Sequence, residues 1–452
     1  MQQVTAIFDI GKTNKKFILY DADYQEVFST QRTFREIKDE DGFPCDNLPA
    51  ILRWIKKTLK TVSENKKYKI QALNFSTYGA SFVYVDKKGK VLTPLYNYLK
   101  PYPKKIHNAF HKKYGSPEKV AKETASPPSG MLNSGFQLFW LKKTRPDIFK
   151  KINYAFHFPQ YLSYFFTGIA VSDYTSIGCH TSLWDFKKKD YHDWVYAEKI
   201  DEILPPVVAA NTSINTRWGN QDMKIGVGIH DSSAALLPYF LSDATPFLLI
   251  STGTWSVSLN PFSREVLTQK DLASDCLNYM RIDGGAVKAV RLFLGKEYEV
   301  QVEKLCKFFK KEKEAHQKVK FSKAIFQKIN QSNNNVFTFE EIHWKRKQPK
   351  TTQLDGFKSF EEAYHQLMIE LVALQIVAIQ RTIGKTKIRK IYIDGGFVNN
   401  KIFLALLANY FKPLKIYHTK SPIGSSLGAA MVITSQEVKS NFLKKHFGLV
   451  AQ

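Results

Sequence analysis

Cysteine is scarce in this chain: four in 452 residues, at positions 45, 179, 276 and 306, with no CxxC pair among them. Such wide spacing excludes a zinc cluster or a disulfide framework, both of which need grouped cysteines, and a reducing compartment is expected. Arginine is also short, supplying 11 of the 66 basic residues. The net charge of +25 invites a nucleic-acid reading. Base readout and bidentate phosphate contact favour arginine, however, and the lysines are spread along the whole chain with one dense stretch from Lys304 to Lys328. The charge therefore reads as lysine-rich solvated surface, with no nucleic-acid partner expected. No apolar run reaches the roughly 18 residues of a membrane span, so no membrane association is expected. From Met1 to Lys16 there is no basic n-region, and Asp9 interrupts the apolar stretch, so no signal peptide is expected and the cytoplasm is the expected location. With 44% hydrophobic and 24% charged residues the chain has neither a disordered nor a collagen-like composition.

Two stretches share one outline. VTAIFDI at 4–10 has the β-branched and aromatic content of a buried strand, followed by a glycine-led polar turn at 11–14 and a second strand at 17–20. FLLI at 247–250, the turn 251–254 and a strand at 255–259 repeat that order. Between them, Asp46 or Asn47 can cap a helix with an apolar stripe at Leu48, Ile51, Leu52, Ile55 and Leu59. A longer helical pattern runs over 360–383, a strand over 389–393, a turn at 394–396 and a helix over 399–410. The repetition predicts two related α/β domains meeting near 241–246, with the lysine-rich stretch and 331–335 as an exposed insertion in the second.

Five segments could carry chemistry. At Asp9-Ile10-Gly11-Lys12-Thr13-Asn14 the GKT triplet suggests a P-loop, but that motif needs a glycine five positions before Gly11, where Ala6 stands. What remains is an ordinary polar hairpin turn, or a phosphate cradle whose carboxylate holds Mg²⁺ through water. Ser251-Thr252-Gly253-Thr254-Trp255-Ser256 groups hydroxyls around one glycine, as a satisfied turn or as a second cradle facing the first. Gly226-Val227-Gly228-Ile229-His230-Asp231-Ser232 puts an acid at a helix start, as a cap, as a proton acceptor, or as both. Asp394-Gly395-Gly396 with Asn399 would allow close backbone approach to a ligand. Gly424-Ser425-Ser426-Leu427-Gly428-Ala429-Ala430 reads as a helix whose small residues serve mainly packing.

In this order the five segments resemble the FGGY carbohydrate kinases over nearly the whole chain. Asp9-Ile10-Gly11 with Thr13 and Lys16 looks like that family's first phosphate motif, 250–256 like its second, Asp394-Gly395-Gly396 with Asn399 like its adenosine motif, and 426–430 like its closing helix. Pro159, Tyr161-Leu162, Phe166-Thr167-Gly168 and Asp173 match a middle stretch, and Gly228-Ile229-His230-Asp231 is the most specific match. Ser76-Thr77-Tyr78-Gly79 and His230-Asp231-Ser232 look most like rhamnulokinases. Two departures stand out: Phe397 occupies the place of a third glycine, and Tyr96-Asn97-Tyr98 lacks the acid of the xylulokinase pattern.

The resemblance implies an α/β fold of two actin-like domains (ribonuclease H-like, hexokinase/Hsp70-type) around a central cleft. Residues 1–243 would carry the sugar and the base, and residues 244–452 the nucleotide. It implies an ATP-dependent kinase acting on a hydroxyl of a ketose, a rhamnulose-like deoxyketohexose or a pentulose. Xylulose, fuculose or glycerol kinases and a non-sugar actin-like ATPase are the alternatives. In that assignment Asp231 is the catalytic base and Asp9 holds Mg²⁺. Gly11, Lys12, Thr13, Asn14, Gly253, Thr254, Gly395, Gly396 and Asn399 meet ATP. Gly79, His230 and Ser232 meet the sugar, with His230 as an orienting donor. Dimers are common in such enzymes, so the resemblance allows a homodimer, while the sequence itself does not fix the oligomeric state.

Overall fold

The computed structural model describes residues 1–219, 221–332, 334–344, 346–420, 424–434, 438 and 441–452. It contains two seven-stranded sheets built on one plan. The first runs Ser213–Trp218, Gln221–Gly226, Tyr68–Thr77, Gln2–Ile10, Lys15–Tyr20, Glu26–Arg32, with Ile229–His230 paired to Tyr68–Thr77 off that path. The second runs Cys276–Met280, Ala286–Leu292, Ser256–Asn260, Phe247–Thr252, Lys390–Gly395, Lys415–His418, Val450–Ala451. In each sheet a founding strand folds back antiparallel on its successor and lies parallel to a later strand: Gln2–Ile10 with Lys15–Tyr20 and Tyr68–Thr77, Phe247–Thr252 with Ser256–Asn260 and Lys390–Gly395. The repeated outline in the sequence is thus a repeated topology, and the turns after Ile10 and Thr252 are equivalent tips.

Burial explains the composition of these strands. Ala6, Ile7, Phe8 and Ile10 are all fully buried, as expected of a central strand covered on both faces. On one face lies the helix Leu48–Ser63, which buries Leu48, Ile51, Trp54, Ile55, Leu59 and Val62. Its cap is Asn47, whose side chain accepts from the Ala50 N–H, so Asp46 is left for another purpose. In the second half the helix Phe360–Ile383 has the expected bounds, capped by Ser359 and ended by Gly384 at φ +53°. It is long and apolar enough to cross a membrane by length and composition, yet it buries Ala363, Leu367, Leu371 and Ile379 in the core of the second sheet.

Two expectations shift. The helix expected from Asn399 begins at Lys401, because Asn400 caps it by accepting from the N–H groups of Ile402 and Phe403, and Gly396–Asn399 forms a 3₁₀ turn. The lysine-rich stretch does not begin as an exposed insertion. It starts inside the helix Leu294–Phe308, where Leu305 and Cys306 are buried against the Phe360–Ile383 helix and its neighbours. Residue 333, within the expected insertion at 331–335, lies outside the described residues.

Between the sheets, the helices Asp231–Ser242 and Gly424–Thr434 cross in close contact. A Cβ on Gly428 would lie 1.8 Å from the Ala234 carbonyl oxygen, so only glycine permits this approach. The later helix is also fastened to the first sheet: Asn74 Nδ2 donates to the Ala429 carbonyl (2.9 Å), and Tyr20 OH pairs with Ser426 Oγ (2.8 Å). One apolar core joins Ile7 and Ile18 of the first sheet to Leu249 and Tyr392 of the second through Ala234, Leu427 and Ala430.

Gly428→Ala is expected to destabilise the protein by about 1–3 kcal/mol through backbone overpacking, measured by urea unfolding. Gly356→Ala, where a Cβ meets nothing within 4 Å, serves as the neutral comparison.

Candidate active site

A cleft of about 390 Å³ opens where the two tips and the two crossing helices converge. On the first tip, Gly11 N–H donates to the Asn14 carbonyl (3.0 Å) and closes the turn. Lys12 and Thr13 line the cleft; Gly11 and Asn14 do not. Asp9 precedes this turn, and its Oδ2 accepts from Ser425 Oγ (2.8 Å). Burial pushes the Asp9 carboxyl up to about 6. Asp231 adds to that rise, while Ser425, Lys16 and Ser76 oppose it. Ser425 itself lines the cleft, so the small-residue helix read as packing also supplies a polar group to the site. The Gly424-Ser425-Ser426 start of that helix was the available signal, since hydroxyls have no packing reason to be there.

On the second tip, Gly253 N–H donates to the Trp255 carbonyl (2.8 Å). The Thr254 carbonyl accepts from Gly295 and Lys296 N–H (3.1 and 3.2 Å) at the start of the Leu294–Phe308 helix. Ser251, Thr252, Gly253 and Thr254 line the cleft, whereas Ser256 and Ser258 turn inward to Gln375. Beside this tip Thr252 Oγ1 donates to the Asp394 carbonyl (2.6 Å) and accepts from Phe397 N–H (3.1 Å). Gly395 sits at φ +90°, and a Cβ there would fall 1.8 Å from the Thr252 carbonyl oxygen. Asp394 and Gly395 line the cleft; Gly396 and Asn399 do not. Phe397, at the missing third glycine, is buried against Tyr298 and Phe403.

The acid at position 231 is placed by a tight passage. Gly228 has φ +87° and no room for a Cβ, which would lie 2.6 Å from the Pro159 backbone. Gln160 Nε2 binds the Gly228 carbonyl (3.1 Å) and Asp173 Oδ1 (3.0 Å), and His230 N–H donates to Thr175 Oγ1 (3.0 Å). The helix cap position is held by His230, so Asp231 is the first helical residue and not the cap. Its side chain is therefore released to the cleft with 32% exposure. Oδ1 accepts from Ser232 Oγ (3.1 Å) and lies 3.2 Å from His230 Nε2, and the Ser232 backbone N–H also donates to the carboxylate. Burial pushes this carboxyl up to about 6 against the opposing Ser232 contacts. Burial also lowers His230 to about 4, so the imidazole is neutral at pH 7. Its Nδ1 is buried without a partner among the described residues, and Nε2 is the ring nitrogen that faces Asp231. Cys179 Sγ lies 3.1 Å from the same nitrogen, and a Cβ on Gly79 would come 2.6 Å from that sulfur, so the space beside Gly79 is already filled. Gly79, His230 and Ser232 all line the cleft.

Leu132, His180, Tyr279 and Arg291 line the cleft without having been singled out in the sequence, and Tyr78 and Tyr98 line it although they were named only within the stretches 76–79 and 96–98. Arg291 is buried and held by Asp275 through two bonds (2.8 and 3.1 Å), with Trp255 5.5 Å away. Its rarity in an apolar strand was the one available hint. Lys12 also differs from its expected setting. Its ammonium meets Asp46 Oδ2 at 2.7 Å, while Lys16 is the lysine whose charge acts on both Asp9 and Asp394. Among the described residues no group of three or more His, Cys, Asp or Glu forms a metal cage. Mg²⁺ commonly uses one or two carboxylates completed by substrate phosphates and water, and Asp9, with its carboxyl raised beside Asp231, fits that sparse donor set.

Residues 4–237 match the N-terminal domain of the FGGY family of carbohydrate kinases, and residues 244–441 match the carbohydrate kinase FGGY C-terminal domain. The chain is similar to a rhamnulokinase from Halalkalibacterium halodurans, 24% identical over 259 residues covering 55% of this chain and 54% of that protein. It is similar to an L-fuculokinase from Escherichia coli, 23% identical over 269 residues covering 57% and 56%. The chain spans about half the length of the curated relatives it matches. Its fold is that of a ligand-bound xylulose kinase from Lactobacillus acidophilus, with TM-score 0.82 at 17% identity over 100% of this chain and 93% of that one.

Both raised carboxyls oppose folding in their charged form. Their cost is absent below about pH 4 and complete above about pH 6. Asp231→Asn is therefore expected to raise stability at pH 8 by about 1 kcal/mol, after discounting for solvent screening, and to give no gain at pH 4. Thermal unfolding at the two pH values checks this.

Proposed function

The chain belongs to the FGGY family of carbohydrate kinases, and from that premise we propose that it transfers the γ-phosphoryl group of ATP to a hydroxyl of a ketose, a rhamnulose-like deoxyketohexose or a pentulose. The observation that carries the reading is Asp231: an acid at the mouth of a helix, 32% exposed in the cleft, with its carboxyl near 6 and its Oδ1 beside His230 and Ser232.

Phosphoryl transfer needs positioning and charge neutralisation more than covalent help from the protein. Asp231 takes the proton of the attacking hydroxyl as the new O–P bond forms and the bond from the γ-phosphorus to the β–γ bridging oxygen breaks. With a carboxyl near 6 it is ionised at neutral pH yet basic enough to accept that proton. Lys12 and Thr13 meet the phosphates from one side through the turn's backbone and the Thr13 hydroxyl, Gly11 and Asn14 close the turn that presents them, and Gly253 and Thr254 stand on the other side. Gly395 faces the adenosine from the cleft wall, and Gly396 and Asn399 serve it from outside that lining. Gly79, His230 and Ser232 serve the sugar. Family members use ATP with a divalent metal, and in this chain Asp9 would hold Mg²⁺, which when bound neutralises phosphate charge. Residues 1–243 and 244–452 act as the sugar-side and nucleotide-side domains. The segment near 241–246 serves as the hinge, and closure excludes water as a competing acceptor. Four free buried cysteines suit a reducing, cytoplasmic setting.

A screen of ADP release over ketoses, polyols and aldoses is expected to single out a ketose. Asp231→Asn should lower turnover about 10²–10⁴-fold while ADP affinity, by isothermal titration, stays within about two-fold. With wild type, kcat/KM should rise up to about pH 6 and then level off as the Asp231 carboxyl ionises. Near-normal turnover of Asp231→Asn removes the residue from its role.

A further inference from the structure

We infer that the side chain of Lys12 recognises the acceptor: its ammonium donates to a hydroxyl oxygen of an uncharged sugar seated against the Tyr98 ring. This rests on the kinase reading above and assigns within it a residue whose side chain the phosphates do not need.

Lys12 is held at both ends. Its carbonyl accepts from Lys15 Nζ (2.7 Å), and its own Nζ binds Asp46 Oδ2 (2.7 Å) and Glu36 Oε1 (3.3 Å). Asp46 is buried and accepts also from Lys15 Nζ (2.9 Å) and Tyr78 OH (2.8 Å). Burial alone would raise the Asp46 carboxyl, but the two lysines hold it below its ordinary value. These contacts hold the ammonium at Asp46. An ammonium has three N–H donors, and two are engaged. The head stands 5.7 and 6.0 Å from the ring centroids of Tyr78 and Tyr98, and Lys12, Tyr78 and Tyr98 all line the cleft.

Tyr98 ties this corner to the base. Burial pushes its hydroxyl up to about 12, with Asp231 and Asp46 both adding to the rise, so its ring lies within the electrostatic reach of both carboxylates. Leu99 and Leu132 line the cleft too, which suits the C–H face of a sugar ring or chain. The charges nearby balance, Lys12 and Lys15 against Asp46 and Glu36. A corner with no surplus positive charge has little to offer a carboxylate or phosphate, but a fixed N–H beside an aromatic face suits a neutral polyol. The cation directed at the phosphate end is Lys16, which acts on Asp9 and Asp394.

The test uses the full chain and the preferred ketose from the ADP-release screen. Lys12→Met is expected to raise the acceptor KM about 10-fold or more, the loss of one charged hydrogen bond, with the ADP dissociation constant changed less than about two-fold. Loss of ADP affinity with the acceptor KM unchanged would make Lys12 a phosphate ligand and overturn the inference, as would no change in either. If Lys12→Met folds poorly, Lys12→Arg keeps the Asp46 pair while relocating the donors. It should shift the kcat/KM ratio between two ketoses epimeric at one carbon by about three-fold or more, and an unchanged ratio overturns the inference. Wild-type protein that releases no ADP with any acceptor overturns the kinase reading and this inference together. The Lys12 outcomes overturn the inference alone.

Discussion

The contact between Gly428 and the Ala234 carbonyl sets the geometry of the whole site. Because the two helix backbones meet there without an intervening side chain, the starts of both helices reach the same cleft. One start presents Asp231 and Ser232, the other Ser425 and, through it, Asp9. The relation between the two carboxylates therefore follows from backbone packing several residues away. A rigid interhelical seam is a better support for such a pair than two loops would be.

Charge is then sorted along the cleft. The two raised carboxyls, Asp9 and Asp231, are each surrounded by hydroxyl donors and backbone, with Lys16 as the cation near Asp9. His230 stays neutral, so it can orient Asp231 without quenching its basicity. The cationic side chains of Lys12 and Arg291 are each matched by their own carboxylate, Asp46 and Asp275. The large positive charge of the chain thus belongs to its surface, and the cleft is electrically composed from a few pairs.

Much of this was legible in the residues. The strands at 4–10 and 247–250, the helix at 360–383 and the turns between them follow from period and composition, because each buries a continuous apolar face. The match between the halves was legible as an outline, and the sheets realise it as strand order. What the sequence could not display were partners far away along the chain. Asn47 rather than Asp46 caps its helix because Asp46 is claimed by Lys12 and Lys15, a choice made in three dimensions. Asp231 lost its expected capping role because His230 is held in the extended conformation that the cap position requires. Ser425 looked like packing because its reason for being polar, Asp9, is 416 positions away. Arg291 carries no motif, and Tyr98 stood out only as a departure from the xylulokinase pattern; their place depends on which strands and loops close over the cleft.

The fastening of the Gly424–Thr434 helix to the first sheet has a consequence for how the molecule is made. Tyr20 and Asn74 wait for partners 406 and 355 positions later, at Ser426 and Ala429. On the ribosome, where N-terminal segments emerge first, that face of the opening sheet stays uncovered while the residues between these partners are made. Loop closure over such distances is slow, so the nascent chain carries an apolar surface suited to chaperones until the Gly424–Thr434 helix emerges. Completion of the N-terminal half is thereby a late event, governed by the arrival of the C-terminal one.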